Sequence, residues 1–390
     1  MAAVRNAALA TLIALAIVQA CSSYEGRGDT SIDGGLPGAP PPPAPPDASA
    51  DAPSDAATRA LCPPPPAPSC ALGACAQSTL FSPPDSSAKE YVFGIATDDD
   101  FVYWASQTVL DDGSADPYDG NGDGTIRRVA RDGSGVSVLA RQQTTARAIA
   151  ADGAWLYWLV ELPLGQLELR RVNARCDEAS CAPESAATFT APGGARALVR
   201  AAPGVLFALD AGGDVIRIVV RDGAPATSSK VVTTGDLPGM AATSSFVYAS
   251  SLLYDAVARI DIATGATESR WDPIALDGSA GEPGIAVVAT DCDSMWGFAS
   301  GSQKLTRVDL DAGAATTLDA SVSGTPFDTS ADQRFVYVAN ANAGGLEAYD
   351  KTTGAMTTIL DGNVWNVTND ALGVYWGDHD GSGTLHMLRK

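Results

Sequence analysis

An all-β chain folded as a seven-bladed β-propeller, closed by an N-terminal strand and preceded by a signal peptide and a disordered linker, is what this sequence predicts. Three observations predict it. A short apolar signature recurs seven times, with its aromatic at Tyr103, Tyr157, Phe207, Tyr248, Trp296, Tyr337 and Tyr375, at a mean spacing of about 45 residues. Each copy is followed by a second strand of alternating apolar and long polar residues. The last copy is one strand short of a full repeat, and a matching strand stands before the first. A period of this size built from short apolar strands is the mark of a propeller blade.

The elements follow in chain order. Arg5 and the apolar run from Ala7 to Val18 read as a secretory signal over residues 1–20. That run is shorter than the about 20 residues a membrane-spanning helix needs. Val18-Gln19-Ala20-Cys21 resembles a bacterial lipobox. The resemblance implies lipidation of Cys21 and anchorage in the bacterial cell envelope, at the outer membrane, facing periplasm or cell surface. An ordinary exported protein with Cys21 incidental is the alternative. Residues 21–75 then turn to Ser, Gly, Asp, Ala and Pro, including Pro40 to Pro46 with one alanine inside. Such a stretch buries too little apolar surface to fold, and its prolines keep it extended, so it reads as a tether.

Residues 76–390 carry the blades. Before each signature lies a strand of small residues, such as Gly94-Ile95-Ala96-Thr97 or Arg147-Ala148-Ile149-Ala150, suited to the crowded channel at the ring's centre. After it comes the alternating strand, for example Leu167-Glu168-Leu169-Arg170-Arg171-Val172. Turns such as Asp132-Gly133, Asp222-Gly223 and Thr353-Gly354 then close a hairpin to an outer strand. Four strands per repeat result, a to d from the axis outward. The seventh blade lacks its d strand, and Gln77-Ser78-Thr79-Leu80-Phe81 is predicted to supply it. That sharing closes the ring and removes open sheet edges. Val102-Tyr103-Trp104 with Arg128 and Asp132-Gly133-Ser134, echoed by Val374-Tyr375-Trp376, resembles YWTD-type and related propeller repeats. The resemblance supports the fold and carries over no active-site residue.

Six cysteines remain beside Cys21: Cys62, Cys70, Cys75, Cys176, Cys181 and Cys292. In an exported chain an even count suggests disulfides. Cys176 and Cys181, flanking a four-residue loop, are the predicted pair. One of the first three is expected to reach Cys292 and the other two to join locally. A zinc site is the rival use of these residues, but no paired CxxC spacing is present.

A formal charge of −21 excludes the basic footprint that nucleic acid requires. Only His379 and His386 are present, which weighs against a histidine metal centre or a Ser-His-Asp triad. The b–c and d–a loops share the top face of a propeller, where a protein or small-molecule ligand is expected. The largest b–c insertion, Ser106 to Gly124, contains Asp119-Gly120-Asn121-Gly122-Asp123-Gly124-Thr125-Ile126. This matches the first eight positions of an EF-hand-type calcium loop, so Asp119, Asn121, Asp123 and Thr125 are the candidate metal ligands. At position twelve Ala130 replaces the bidentate glutamate, and Asp111, Asp112 or Asp116 is the candidate replacement. A solvated Asp/Gly-rich hairpin is the alternative. Asp378 to Leu385 in the last blade is a fainter echo, predicted to lie beside the first blade.

The function this supports is a lipid-anchored envelope module that binds a ligand or protein, with calcium as a stabiliser. The alternative is a propeller enzyme, a lyase or a lactonase-type hydrolase. Pro283-Gly284-Ile285-Ala286 resembles the repeats of streptogramin lyases, which implies a catalytic histidine on the top face, and His379 is the residue placed for that role.

Overall fold

The computed structural model describes residues 65–390 apart from 85–87, 111–122, 144, 178–179, 222, 235–238, 251–256, 272–284, 292–293, 300–303, 311–314, 323–324 and 342–343. The predicted signal segment, Cys21, Cys62 and Cys292 lie outside the described residues. What is described belongs to the compact unit Pro53–Lys390.

Seven four-stranded antiparallel sheets form a ring, a seven-bladed β-propeller. Blade 1 runs Ala88–Thr97, Phe101–Leu110, Asp123–Ala130 and Ser137–Arg141 from axis to rim. The other inner strands are Ile149–Asp152, Ala195–Ala202, Met240–Ala242, Ile285–Thr290, Thr325–Ala331 and Val364–Asn369. Each touches the next in order, and the seventh touches the first. The signature forms the second strand of every blade. Trp155–Leu162 is buried on both faces at its centre because each blade is sandwiched between two others. The third strand Gln166–Asn173 alternates, with Leu167 and Leu169 fully buried. The outer strand Ala224–Thr233 is exposed along most of its length and polar through its centre, Thr227 to Lys230. Small residues on the inner strands are a packing requirement: a Cβ on Gly94 would sit 2.5 Å from the carbonyl oxygen of Arg147 in the next blade.

The ring closes as predicted. Gln77–Phe81 pairs antiparallel with the third strand of blade 7, Gln77 opposite Leu388 and Phe81 opposite Leu385. Leu80 packs with Trp104, Tyr375 and Leu385, locking the first and last blades together. Cys176 and Cys181 are joined, with Cα atoms 5.2 Å apart. Cys70 and Cys75 form the local pair in the N-terminal segment, at 5.3 Å. They bracket a single turn, Leu72–Ala74, whose Leu72 is buried with Phe335, Ile359 and Val364. The last residues of the predicted tether are therefore fastened to blades 6 and 7.

A belt of aspartates ties the blades along the bottom face, where the a–b and c–d turns lie. Five residues before the signature aromatic stands Asp98, Asp152, Asp291, Asp332 or Asp370 in five of the seven repeats. Tyr103 donates to Asp98 at 2.6 Å, Trp296 to Asp291 at 2.9 Å, Tyr337 to Asp332 at 2.7 Å and Tyr375 to Asp370 at 3.4 Å. The same carboxylates cap their own turns: Asp332 accepts from the backbone N–H groups of Arg334 and Phe335, both at 2.8 Å. Each also takes a cation from the following blade. Arg175 of blade 2 reaches Asp98 at 3.2 Å, and Lys390 of blade 7 reaches Asp332 at 2.9 Å. Lys351 of blade 6 pairs with Asp291, and Arg131 of blade 1 with Asp370. In blade 2, Asp152 instead holds Arg200 and the Gly204 N–H of blade 3, each at 2.7 Å. Blade 3 has Ala202 and Phe207 at the two positions, so acceptor and donor are missing together. In blade 4 the hydroxyl of Thr243 caps the turn, accepting from Phe246 at 3.1 Å.

Candidate functional site

The acidic loops of the top face come first. Asp119 and Asn121 lie outside the described residues. Asp123 opens the third strand of blade 1 opposite Thr108, and Thr125 is buried, its hydroxyl 3.0 Å from that of Ser106. Among the described residues no group of three or more His, Cys, Asp or Glu side chains is arranged to hold a metal. The two arginines after the loop have partners elsewhere. Arg127 pairs with Glu90 and donates to Ser106 at 2.8 Å, while Arg128 donates to Ser137 at 3.0 Å and lies over Phe101. The equivalent loop of blade 7 lies against blade 1, as its ring position predicts: the Glu90 N–H donates to the Gly381 carbonyl at 2.9 Å. Within that loop Asp378 pairs with His386 at 2.9 Å.

His379 is not offered to a substrate on the rim. It is 5% exposed, and its ring stacks on Trp365 with centroids 3.7 Å apart. Tyr91 and the edge-on ring of Phe93 enclose it at 4.9 and 5.3 Å. Burial lowers its pKa to about 4, so it is neutral at physiological pH. The sequence placed this residue on the top face but gave no sign of the rings from distant strands that cover it.

Phe93 and Trp365 line the mouth of the central channel, a cavity of about 580 Å³ lined by all seven inner strands. Five of these strands, those of blades 1, 3, 5, 6 and 7, carry a β-bulge near their top-face end. In blade 1 the ladder pairs Val92 with Ser106 and Gly94 with Ala105, so Phe93 is the extra residue. The same count makes Arg196 the extra residue in blade 3, Phe327 in blade 6 and Trp365 in blade 7. A bulge breaks the alternation of a strand and re-aims the inserted side chain, and Phe93, Arg196, Phe327 and Trp365 all line the channel. Arg147 reaches the mouth from just before the inner strand of blade 2.

These side chains touch one another across the opening. Phe327 stacks on Trp365 at 4.3 Å, and Trp365 stacks in turn on His379. Arg196 lies 5.5 Å over the Phe327 ring and donates to the Phe327 carbonyl at 3.3 Å. Blades 3 and 6 are not neighbours, so this arginine spans the channel. Arg147 lies 5.8 Å over Phe93 on the other side. Asp328, next to Phe327, accepts from the N–H groups of Thr329 at 2.9 Å and Val367 at 3.0 Å. Burial outweighs these bonds and the Arg196 charge, raising its pKa to about 6. The hydroxyl of Thr329, also in the wall, is buried without a partner.

The sequence reading missed this ring, although a signal exists. Phe93, Arg147, Phe327 and Trp365 each stand ten residues before their signature aromatic, and Arg196 stands eleven before Phe207. Ala-Arg-Ala at residues 146–148 and 195–197 sets a long cation inside a run of small residues.

No protein-family profile and no curated protein matches the chain. Solved structures do. Virginiamycin B lyase from Staphylococcus aureus superposes with a TM-score of 0.58 at 9% identity, over 81% of this chain and 99% of that one. The WD40 β-propeller domain of Doa1 gives 0.54 at 12%, over 80% and 96%. BamB from Moraxella catarrhalis gives 0.50 at 13%, over 77% and 85%. At such identities the likeness shows the propeller fold and nothing finer.

His379 and Asp328 predict opposed pH dependences. The folded-state pKa of His379, about 4, lies below its ordinary 6.5. Its contribution is complete above pH 6.5 and is lost as pH falls through 4, worth about 3 kcal/mol at ~1.4 kcal/mol per pH unit. Asp328 is raised from 3.8 to about 6, so its contribution is present at low pH and is lost as pH rises through 6. Urea denaturation between pH 4 and 6.5 is expected to show Asp328→Asn gaining stability relative to the parent as pH rises, and His379→Phe losing it. Curves parallel to the parent for both variants would contradict the assignment.

Proposed function

We propose that this protein is a lipid-anchored module of the bacterial cell envelope that binds a ligand or partner at the top-face mouth of its propeller channel. The side chains at the bulges of blades 1, 3, 6 and 7, Phe93, Arg196, Phe327 and Trp365, carry this reading. A bulge re-aims its inserted side chain, and in these four blades that side chain is aromatic or cationic and lines the channel, where a ligand could reach it. WD40 domains and BamB lend the analogy of a shared scaffold only.

The path of the N-terminal segment supports the orientation. The Gln333 N–H, in the bottom-face turn of blade 6, donates to the Pro65 carbonyl at 2.9 Å, and Arg389 donates to that of Ala76 at 3.1 Å. The chain thus joins the propeller at the bottom. With Cys21 acylated, the anchor would be connected to the propeller through its bottom face. Membrane fractionation and photocrosslinking test this together. Cys21→Ser is expected to release the protein from membranes, and a photoreactive residue at Leu164 on the top face is expected to capture a partner that one at Ser134 on the bottom face does not. Membrane retention of Cys21→Ser, or adducts only from Ser134, would contradict the proposal.

Calcium, in this reading, is held by Asp119, Asn121, Asp123 and the Thr125 carbonyl and orders the connection between the strands Phe101–Leu110 and Asp123–Ala130, which is shorter than the predicted insertion Ser106 to Gly124. The pairing of Arg127 with Glu90 keeps its charge occupied away from the loop. Calcium is expected to raise the melting temperature of the parent over that in chelator and to leave Asp123→Ala unchanged. A parent melt indifferent to chelator would sink the site.

A further inference from the structure

The strap that leads into the propeller carries chemistry of its own. Residues 65–76 cross blades 6 and 7 ahead of the closing strand, fastened at their two ends through the carbonyls of Pro65 and Ala76. Between these points the hold is apolar. Leu72, with Ala67 and Cys75 beside it, belongs to one cluster with Phe335, Ile359 and Val364. Its turn packs on the outer strand Met356–Leu360 of blade 6. Pro65, Pro66 and Pro68 keep the first part of the strap extended by their own rings. The second part, Ser69-Cys70-Ala71-Leu72-Gly73-Ala74-Cys75-Ala76, has no such restraint.

That second part folds as a single turn of three residues with no side-chain cap. The Ala74 and Cys75 N–H groups close it, donating to the carbonyls of Ala71 at 2.7 Å and Leu72 at 3.3 Å. One such turn does not hold itself in water, and burying a single leucine does not offset the ordering of the residues around it. The Cys70–Cys75 bond supplies the missing restraint by closing the turn before it docks. The other disulfide has no such duty. Cys176 and Cys181 lie between strands already paired from Gln166 opposite Thr190 to Arg171 opposite Glu184. Their loop also has its own bonds, the Ser180 and Cys181 N–H groups donating to the Asp177 carbonyl at 2.7 and 3.0 Å. Gln77–Phe81 is likewise independent of the clip, held by its ladder to blade 7 and by Leu80. The two sulfurs of the clip differ in access: Cys75 is 8% exposed, whereas Cys70 is half-buried at the edge of the cluster.

We propose that Cys70 is a thiol–disulfide exchange site and that the Cys70–Cys75 bond is the catch of a reducible latch, opened by a dithiol. One thiolate of the dithiol attacks the Cys70 sulfur, the Cys70–Cys75 bond breaks, and Cys75 leaves as a thiolate. The second thiol of the reductant then attacks its own sulfur in the mixed disulfide and releases Cys70. The two electrons pass to the cysteine pair, the two protons of the dithiol end on Cys70 and Cys75, and the reductant is left as a disulfide. With the catch open, residues 65–76 leave the seat of Leu72 on blades 6 and 7, while the ring stays closed by Gln77–Phe81. The latch is independent of the top-face binding reading.

Hydrogen exchange of the purified full chain, read by mass spectrometry, is the test. In the reduced parent and in the Cys70→Ala/Cys75→Ala double variant, the Ala74 and Cys75 positions are expected to exchange at least tenfold faster than in the oxidised parent. Protection of residues 77–81 is expected to be unchanged in both. Reduction of the folded parent gives the same readout should the double variant not fold. Cys176→Ala/Cys181→Ala is expected to leave exchange at 69–76 as in the parent. Limiting glutathione, quenched with acid, is expected to be found on Cys70 and not on Cys75. Unchanged exchange at 69–76 on reduction, loss of protection at 77–81 together with it, opening of the strap by Cys176→Ala/Cys181→Ala, or glutathione on Cys75 would overturn the proposal.

Discussion

A buried carboxylate between two blades is the contact on which the rest of this ring depends. Asp332 is fully buried, as is Tyr337, and the Lys390 side chain is 2% exposed. A charge in that position is tolerated only because every oxygen is satisfied: by the turn's own N–H groups, by the tyrosine hydroxyl of the same blade and by the ammonium of the next. One side chain therefore shapes a turn, fixes an aromatic core residue and sets the angle between neighbouring blades. Burial pushes the Lys390 pKa down while Asp332 opposes it, the signature of a charge held inside a protein by its partner. Blade 3 makes the logic visible, because Ala202 and Phe207 have dropped both ends of the hydrogen bond and left no orphaned group.

With the bottom face tied in this way, the top face is free to vary. Closure by Gln77–Phe81 makes the inner strands a complete ring, and a complete ring brings Arg196 of blade 3 opposite Phe327 of blade 6. The bulges at that level give up regular pairing in exchange for side chains in the channel. The same face carries the blade 7 loop laid on blade 1 and the Leu164 turn, where a leucine with a φ of 67° is 96% exposed. Packing is regular below and irregular above, and the irregular end is where recognition chemistry sits.

The architecture was legible in the sequence because its signals are local. A strand sandwiched between blades must be apolar on both faces, so the signature shows in four consecutive residues. The closing strand resembles the other outer strands and is found by counting. The belt was half visible: an aspartate five residues before the aromatic is a fixed spacing, but its lysine or arginine lies in another repeat at varying distance. The channel mouth was hidden for a different reason. A bulge is defined by a count on the partner strand, and the inserted residue is Phe, Arg, Phe or Trp, with no shared residue type to mark it. His379 was read as a rim residue for the same cause, since Phe93 lies in the first repeat and meets it only when the ring closes.

The belt aspartate, shared between turn, aromatic and neighbouring cation, couples adjacent blades. Urea denaturation of Asp332→Ala tests it most directly, set beside the combination of Asp332→Ala, Tyr337→Phe and Lys390→Met, which copies the apolar solution of blade 3. The single substitution is expected to cost about 3–5 kcal/mol by leaving a buried ammonium and hydroxyl without their acceptor, and the combined variant to recover most of that loss. A single substitution costing less than about 1 kcal/mol, the range of an exposed ion pair, would contradict it.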